Sequence, residues 1–166
     1  MLHQPWILIQ NEIRAEGGRE LERFRGLPNP RDTQNGAEAW IGSVTSANGA
    51  TPDHPFLGQS EVCLPDGSHR YLSQVIAENP SEILGPKHMA VFGHDLGILL
   101  KMLDAKAPFL LQCHPSREVA KRLWNSNYGK EECWHVLSVR GDMAEKPYIL
   151  LGFRPGVTRK AFEQAY

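Results

Sequence analysis

The sequence has no excess of basic charge, no CxxC pair, no long apolar run and no internal repeat. Lys+Arg number 18 against Asp+Glu 19, a net charge of -1. Such a balance offers little to displace counterions from nucleic acid or to hold an anionic membrane, so neither is expected as a partner. Cysteine is sparse: Cys63, Cys113 and Cys133 are odd in number and widely spaced. That excludes a disulfide framework and fits a reducing cytoplasm. The first ten residues lack a basic segment, and their apolar run, Trp6–Ile9, is too short for a secretory signal. No stretch approaches the ~18 consecutive apolar residues of a membrane span. Secreted mini-protein, membrane protein and disordered tail are thereby set aside.

What is present is ordinary for a globular chain: 166 residues, 41% hydrophobic and 22% charged. That length suits a single domain, 1–166. Gly 15 and Pro 12 imply many turns and argue against a helix bundle. Short strands are predicted at Trp6–Ile9 and Ala37–Val44, and a turn or two of helix within Glu12–Gly26, with Leu21 and Phe24 at i, i+3. Thr45–Pro65 reads as a long loop. Tyr71–Asn79 reads as an amphipathic helix closed by Asn79-Pro80. Leu96–Leu103 and Phe109–His114 are apolar enough for strands buried on both faces, and Glu132–Val139 and Tyr148–Phe153 read as two more. Between them, Ser116 opens a helix running to about Trp124, with Glu118 early and Lys121 and Arg122 late, as the helix dipole prefers. Thr158 opens another towards Tyr166.

Three polar residues interrupt this buried pattern. Gln112 and His114 lie two apart on one predicted strand and so share a face. Glu132 opens the next predicted strand. Imidazole, carboxylate and amide oxygen together suit zinc or a similar divalent ion. Bland readings compete: His114 as a hydrogen-bonded core histidine, Gln112 as a backbone clip, Glu132 as a partner of Lys130 at a strand edge. Lys101 and Lys130 are cations that a sugar phosphate beside a metal would require. Cys113 alternates away from its neighbours and is expected in buried packing. Cys133 and His135, two apart on a strand, are too far apart for a nucleophile–base pair. His54, His69, His88 and His94 have no metal spacing and read as solvated loop residues. Neither a G-x-S-x-G elbow nor a GxGxxG turn is present.

Several segments, in order, resemble the type I mannose-6-phosphate isomerases, zinc enzymes of the cupin superfamily. Leu99–Lys106 (LLKMLDAK) resembles the family's LLVKLLDAK strand, and Gln112–Pro115 (QCHP) its QVHP. Gly129–Trp134 (GKEECW) resembles GKTECWY, and Gly152–Thr158 (GFRPGVT) resembles YGLKPGTT. Upstream, Gly36–Ser43 (GAEAWIGS) is similar to GEIWAIS, and Gly17-Gly18 with Leu21 and Phe24 to WGGTRLREFFG. The resemblance implies a mainly β, α+β fold: a cupin-like jelly-roll with helical elaboration, incomplete in this chain. It implies Zn²⁺ held by Gln112, His114 and Glu132, with Lys101 and Lys130 as catalytic lysines lining the site. The activity implied is interconversion of mannose 6-phosphate and fructose 6-phosphate, with a sugar phosphate as the small-molecule partner.

Two positions depart from the pattern. Leu110 stands where the family has Ser, and Glu16 where it has Trp. The family's fourth zinc ligand, a His, and an active-site Arg have no counterpart here. The expectation is therefore a chain that turns over little substrate alone and self-associates through open sheet edges. A non-catalytic cupin fragment that binds a sugar or partner, and a cupin metal oxygenase, are the alternative readings.

Overall fold

The computed structural model describes residues 5–141 and 146–165. Its contacts divide the chain into two compact units, Met1–Cys113 and His114–Tyr166, each described by itself.

The first unit holds two three-stranded antiparallel sheets. One has the order β1 (Ile7–Leu8), β4 (Glu61–Cys63), β5 (His69–Tyr71); the other has β2 (Glu12–Ile13), β3 (Glu38–Ile41), β6 (Leu100–Leu103). Helix α1 (Glu20–Phe24) follows β2, while α2 (Leu72–Glu78), α3 (Pro80–Leu84) and α4 (Pro86–Phe92) run in succession after β5. Val62, Leu64 and Val75 form one core cluster, joined by Trp6, Leu72 and Ile83. Here α2 lays its Val75 and Ile76 stripe inward, as its spacing predicts. The other cluster is Ile13, Trp40 and Ala47, with Leu99 against it. Each Val, Leu or Ile of these clusters contributes roughly 1.5–3 kcal/mol on full burial.

The register of β3 with β6 positions the chemistry. Trp40 lies opposite Lys101 and Glu38 opposite Leu103. Residues two apart on a strand share a face, so Glu38, Trp40 and Lys101 fall together. Asp104, just beyond β6, is buried, and its carboxylate accepts the Glu20 backbone N–H at 2.7 Å. That contact ties the first turn of α1 to the sheet.

The second unit holds α5 (Arg117–Trp124) and α6 (Arg159–Ala165). Ser116 caps α5 by accepting from the Val119 N–H at 3.3 Å, and Thr158 caps α6 by accepting from the Ala161 N–H at 3.1 Å. Tyr166, the expected end of α6, lies outside the described residues.

Several expectations are corrected. Phe109–His114, Glu132–Val139 and Tyr148–Phe153 pair with nothing among the described residues, so none is a strand. Beyond the half-buried Phe109 their apolar residues are exposed, Leu110 by 90% and Leu151 by 96%. A strand is defined by a neighbour's N–H and C=O groups, and an apolar run supplies only half of a ladder. The Leu96–Leu103 strand shortens to Leu100–Leu103 and, among the described residues, has β3 alone beside it, so Ile98 and Leu100 stay exposed. Phe24 also points outward, leaving Leu21 alone to bury α1. The Thr45–Pro65 loop contains β4. Cys113 is exposed rather than packed, because its segment joins no sheet. His69 and His88 lie in β5 and α4 rather than in loops. No helix among the described residues is long and apolar enough to cross a membrane.

Candidate functional site

In the first unit the site is built on β3 and β6. Glu38 is 3% exposed and saturated with donors. Its Oε2 accepts from Lys101 Nζ at 2.9 Å and from Trp40 Nε1–H at 2.7 Å, and its Oε1 accepts from Arg14 Nη1 at 3.2 Å. Both cations also lie over the Trp40 ring, Lys101 at 4.7 Å from its centroid and Arg14 at 5.4 Å. Burial pushes the Glu38 carboxyl up. The Trp40 N–H, the Lys101 ammonium and the Arg14 guanidinium outweigh it and hold the group below the usual carboxylate range. Glu38 and Arg14 border a cavity of about 370 Å³ whose wall also includes Glu16, Phe109, Leu110 and Gln112. Leu110, the departure from the family's Ser, thus puts an apolar side chain on that wall.

In the second unit His114, Lys130 and Glu132 form a triangle. His114 Nε2 is 3.3 Å from Glu132 Oε2, and Lys130 Nζ is 3.1 Å from that nitrogen and 3.2 Å from that oxygen. Local chain chemistry produces this grouping. Helix α5 ends at Asn125 in the left-handed conformation (φ 52°), a geometry asparagine tolerates. The Ser126 hydroxyl donates to the Tyr128 carbonyl at 3.0 Å and accepts its N–H at 3.2 Å, turning the chain back. Lys130 N–H then donates to the Pro115 carbonyl at 3.0 Å, beside His114. Gly129 permits the approach: a Cβ there would sit 2.8 Å from both the Pro115 carbonyl oxygen and the Arg117 nitrogen.

Zn–N and Zn–O bonds are about 2.0–2.2 Å, so two donors on a tetrahedral ion are roughly 3.3–3.5 Å apart. The His114–Glu132 separation of 3.3 Å fits. Among the described residues no group of three or more His, Cys, Asp or Glu is placed to hold a metal. Gln112 and Lys101 belong to the first unit, and His114, Lys130 and Glu132 to the second. The geometry also shows the Glu132–Lys130 ion pair that the bland reading predicted.

Glu38 and Arg14 were not picked out as site residues from sequence. A usable signal existed: a carboxylate inside the apolar strand Ala37–Ile41 must find cations or lose its charge. Arg14 gave none, since its place depends on a backbone φ of 62° that brings it over Trp40.

Comparison with known proteins defines the class. A family profile described as phosphomannose isomerase type I, catalytic domain, matches residues 9–134. The chain belongs to the type I phosphomannose isomerase family. It is 29% identical over 165 residues to probable mannose-6-phosphate isomerase GmuF of Bacillus subtilis, covering 99% of this chain and 45% of that protein. A probable mannose-6-phosphate isomerase of Echinococcus multilocularis is 32% identical over 133 residues, covering 78% and 27%. The Homo sapiens mannose-6-phosphate isomerase is 34% identical over 87 residues, covering 52% and 18%. The chain thus spans less than half the length of these relatives. No solved structure matches it significantly.

Proposed function

We propose that this chain carries the amino-proximal part of a zinc-dependent, cytoplasmic aldose–ketose isomerase acting on mannose 6-phosphate and fructose 6-phosphate, built on a cupin jelly-roll. The observation that carries the reading is the His114–Glu132 donor pair at zinc-like spacing, both atoms in contact with the Lys130 ammonium, within a segment matched by the family profile. Gln112, two residues before His114, is the third expected donor. Bound zinc would polarise the sugar oxygens and stabilise negative charge as a proton moves between adjacent carbons.

The chain's own residues then divide the remaining work. Lys101 presents an ammonium whose direction is set by Glu38. Glu38 accepts three donors, which makes it a weak base and suits it to aiming Lys101 rather than taking the substrate proton. Lys130 supplies a second cation for the phosphate or for a sugar oxygen. Phe109 and Leu110 supply apolar surface on the cavity wall.

The test is zinc uptake, measured by competition with a chromogenic chelator, alongside formation of fructose 6-phosphate from mannose 6-phosphate. Zinc binding lost in His114→Ala and in Glu132→Ala, with the far-UV spectrum retained, is the expected result. Zinc affinity indifferent to both substitutions overturns the metal site. Zinc binding without turnover, even within a longer relative carrying the same residues, favours the non-catalytic reading.

A further inference from the structure

We propose that Trp40 is a positioning residue that fixes the Glu38–Lys101 pair from one side, a role that rests on the isomerase reading of that pair. Three contacts of one side chain support it. The indole N–H donates to Glu38 Oε2 at 2.7 Å, the oxygen that also receives Lys101. The indole face lies under the Lys101 ammonium at 4.7 Å and under the Arg14 guanidinium at 5.4 Å. The residue itself is 4% exposed and packs against Ile13 and Ala47. A tryptophan needed only for packing has no reason to present its N–H to a carboxylate and its face to that carboxylate's two cations.

Trp40 is in turn held from outside the site. Its backbone N–H donates to the Asn11 carbonyl at 2.9 Å, and its carbonyl accepts from the Ser60 hydroxyl at 3.3 Å. The Asn11 side-chain amide reaches on to the Gly58 carbonyl at 2.8 Å. Gly58 leaves room for the ring: a Cβ there would lie 3.0 Å from Trp40 Cζ3, and its φ of 87° is one that glycine adopts freely. The loop before β4 therefore presses on the indole, and the indole fixes the rotamers of Glu38 and Lys101. Misplacing a reacting group by about 1 Å costs up to ~100-fold in rate, so an indirect holder of this kind can act on turnover without touching substrate.

Trp40→Phe removes the donor and keeps an aromatic face; Trp40→Leu removes both. In each variant the Glu38 carboxyl is titrated by ¹³C NMR, with Arg14 and Lys101 as the charged groups bonded to it and Glu16 on the same cavity wall. Trp40→Phe should move the Glu38 titration to higher pH while the upfield ring-current shift of the Lys101 ε-protons persists. Trp40→Leu should abolish that shift as well. Turnover of mannose 6-phosphate should fall about 10-fold or more in Trp40→Phe with KM little changed. The titration needs no activity, so it separates failure of this proposal from failure of the isomerase reading. Should the variants not fold, the wild-type protein decides. An indole N–H that resists exchange only while Glu38 is ionised supports the role. An unchanged Glu38 titration in the folded Trp40→Phe variant, or a Trp40 indole N–H exchanging at the free rate, overturns it.

Discussion

A carboxylate that leaves water must replace its hydration shell, and Glu38 does so with three donors from two strands and the segment after β2. Removing one member of such a set leaves buried charge unanswered. Glu38→Gln should therefore destabilise the first unit by ~3 kcal/mol, the low end for a broken buried pair, because Arg14 remains partly exposed. The pH dependence has a definite sign. The folded-state pKa of Glu38 lies below its unfolded value, so its contribution is complete above about pH 4.3 and is lost as pH falls through the lowered value. Urea unfolding at stepped pH should show wild type and Glu38→Gln well separated near neutrality and converging in acid; a constant gap would refute the assignment. At this scale the sequence made His114 and Glu132 visible, since a histidine and a carboxylate are conspicuous among apolar residues. Glu38 was less visible because its partners come from distant segments: Arg14 lies 24 residues away and Lys101 63.

Elements were legible wherever their signals are local. Ser116 and Thr158 supply caps through their own hydroxyls, and α2 carries its buried stripe in its spacing. Asn79-Pro80 closes α2 as its sequence predicts, and Pro80 and Pro86 also open α3 and α4, in first turns where a missing N–H costs nothing. The expected strands from Phe109 onward failed because pairing is a property of two segments. Another local device carries a consequence for the site: Gly129 lets the chain after α5 press against Pro115. A methyl group there would meet backbone at 2.8 Å and push Lys130 and Glu132 away from His114. Gly129→Ala should weaken zinc binding by about 10–100-fold while α5 keeps its helicity, as chelator competition and circular dichroism would show. Unaltered affinity would mean that the triangle tolerates displacement.

For the chain as a whole, the second unit exposes Val136, Leu137, Ile149, Leu150 and Leu151, each by more than 60%. So much accessible apolar surface favours association. Sedimentation velocity across a concentration series should show species larger than a monomer, diminished by Leu137→Lys and Leu150→Lys together; a monomer at every concentration would refute this. The order of the second sheet has another effect. Because β6 joins β3 only after the whole of β4, β5 and α2–α4 has intervened, the strand bearing Glu38 is synthesised long before the strand bearing Lys101. At ribosomal speeds of roughly 5–20 residues per second, that interval lasts several seconds. Arg14 and Trp40 are already on the growing chain during that interval, so of the three donors to Glu38 only the Lys101 ammonium arrives late.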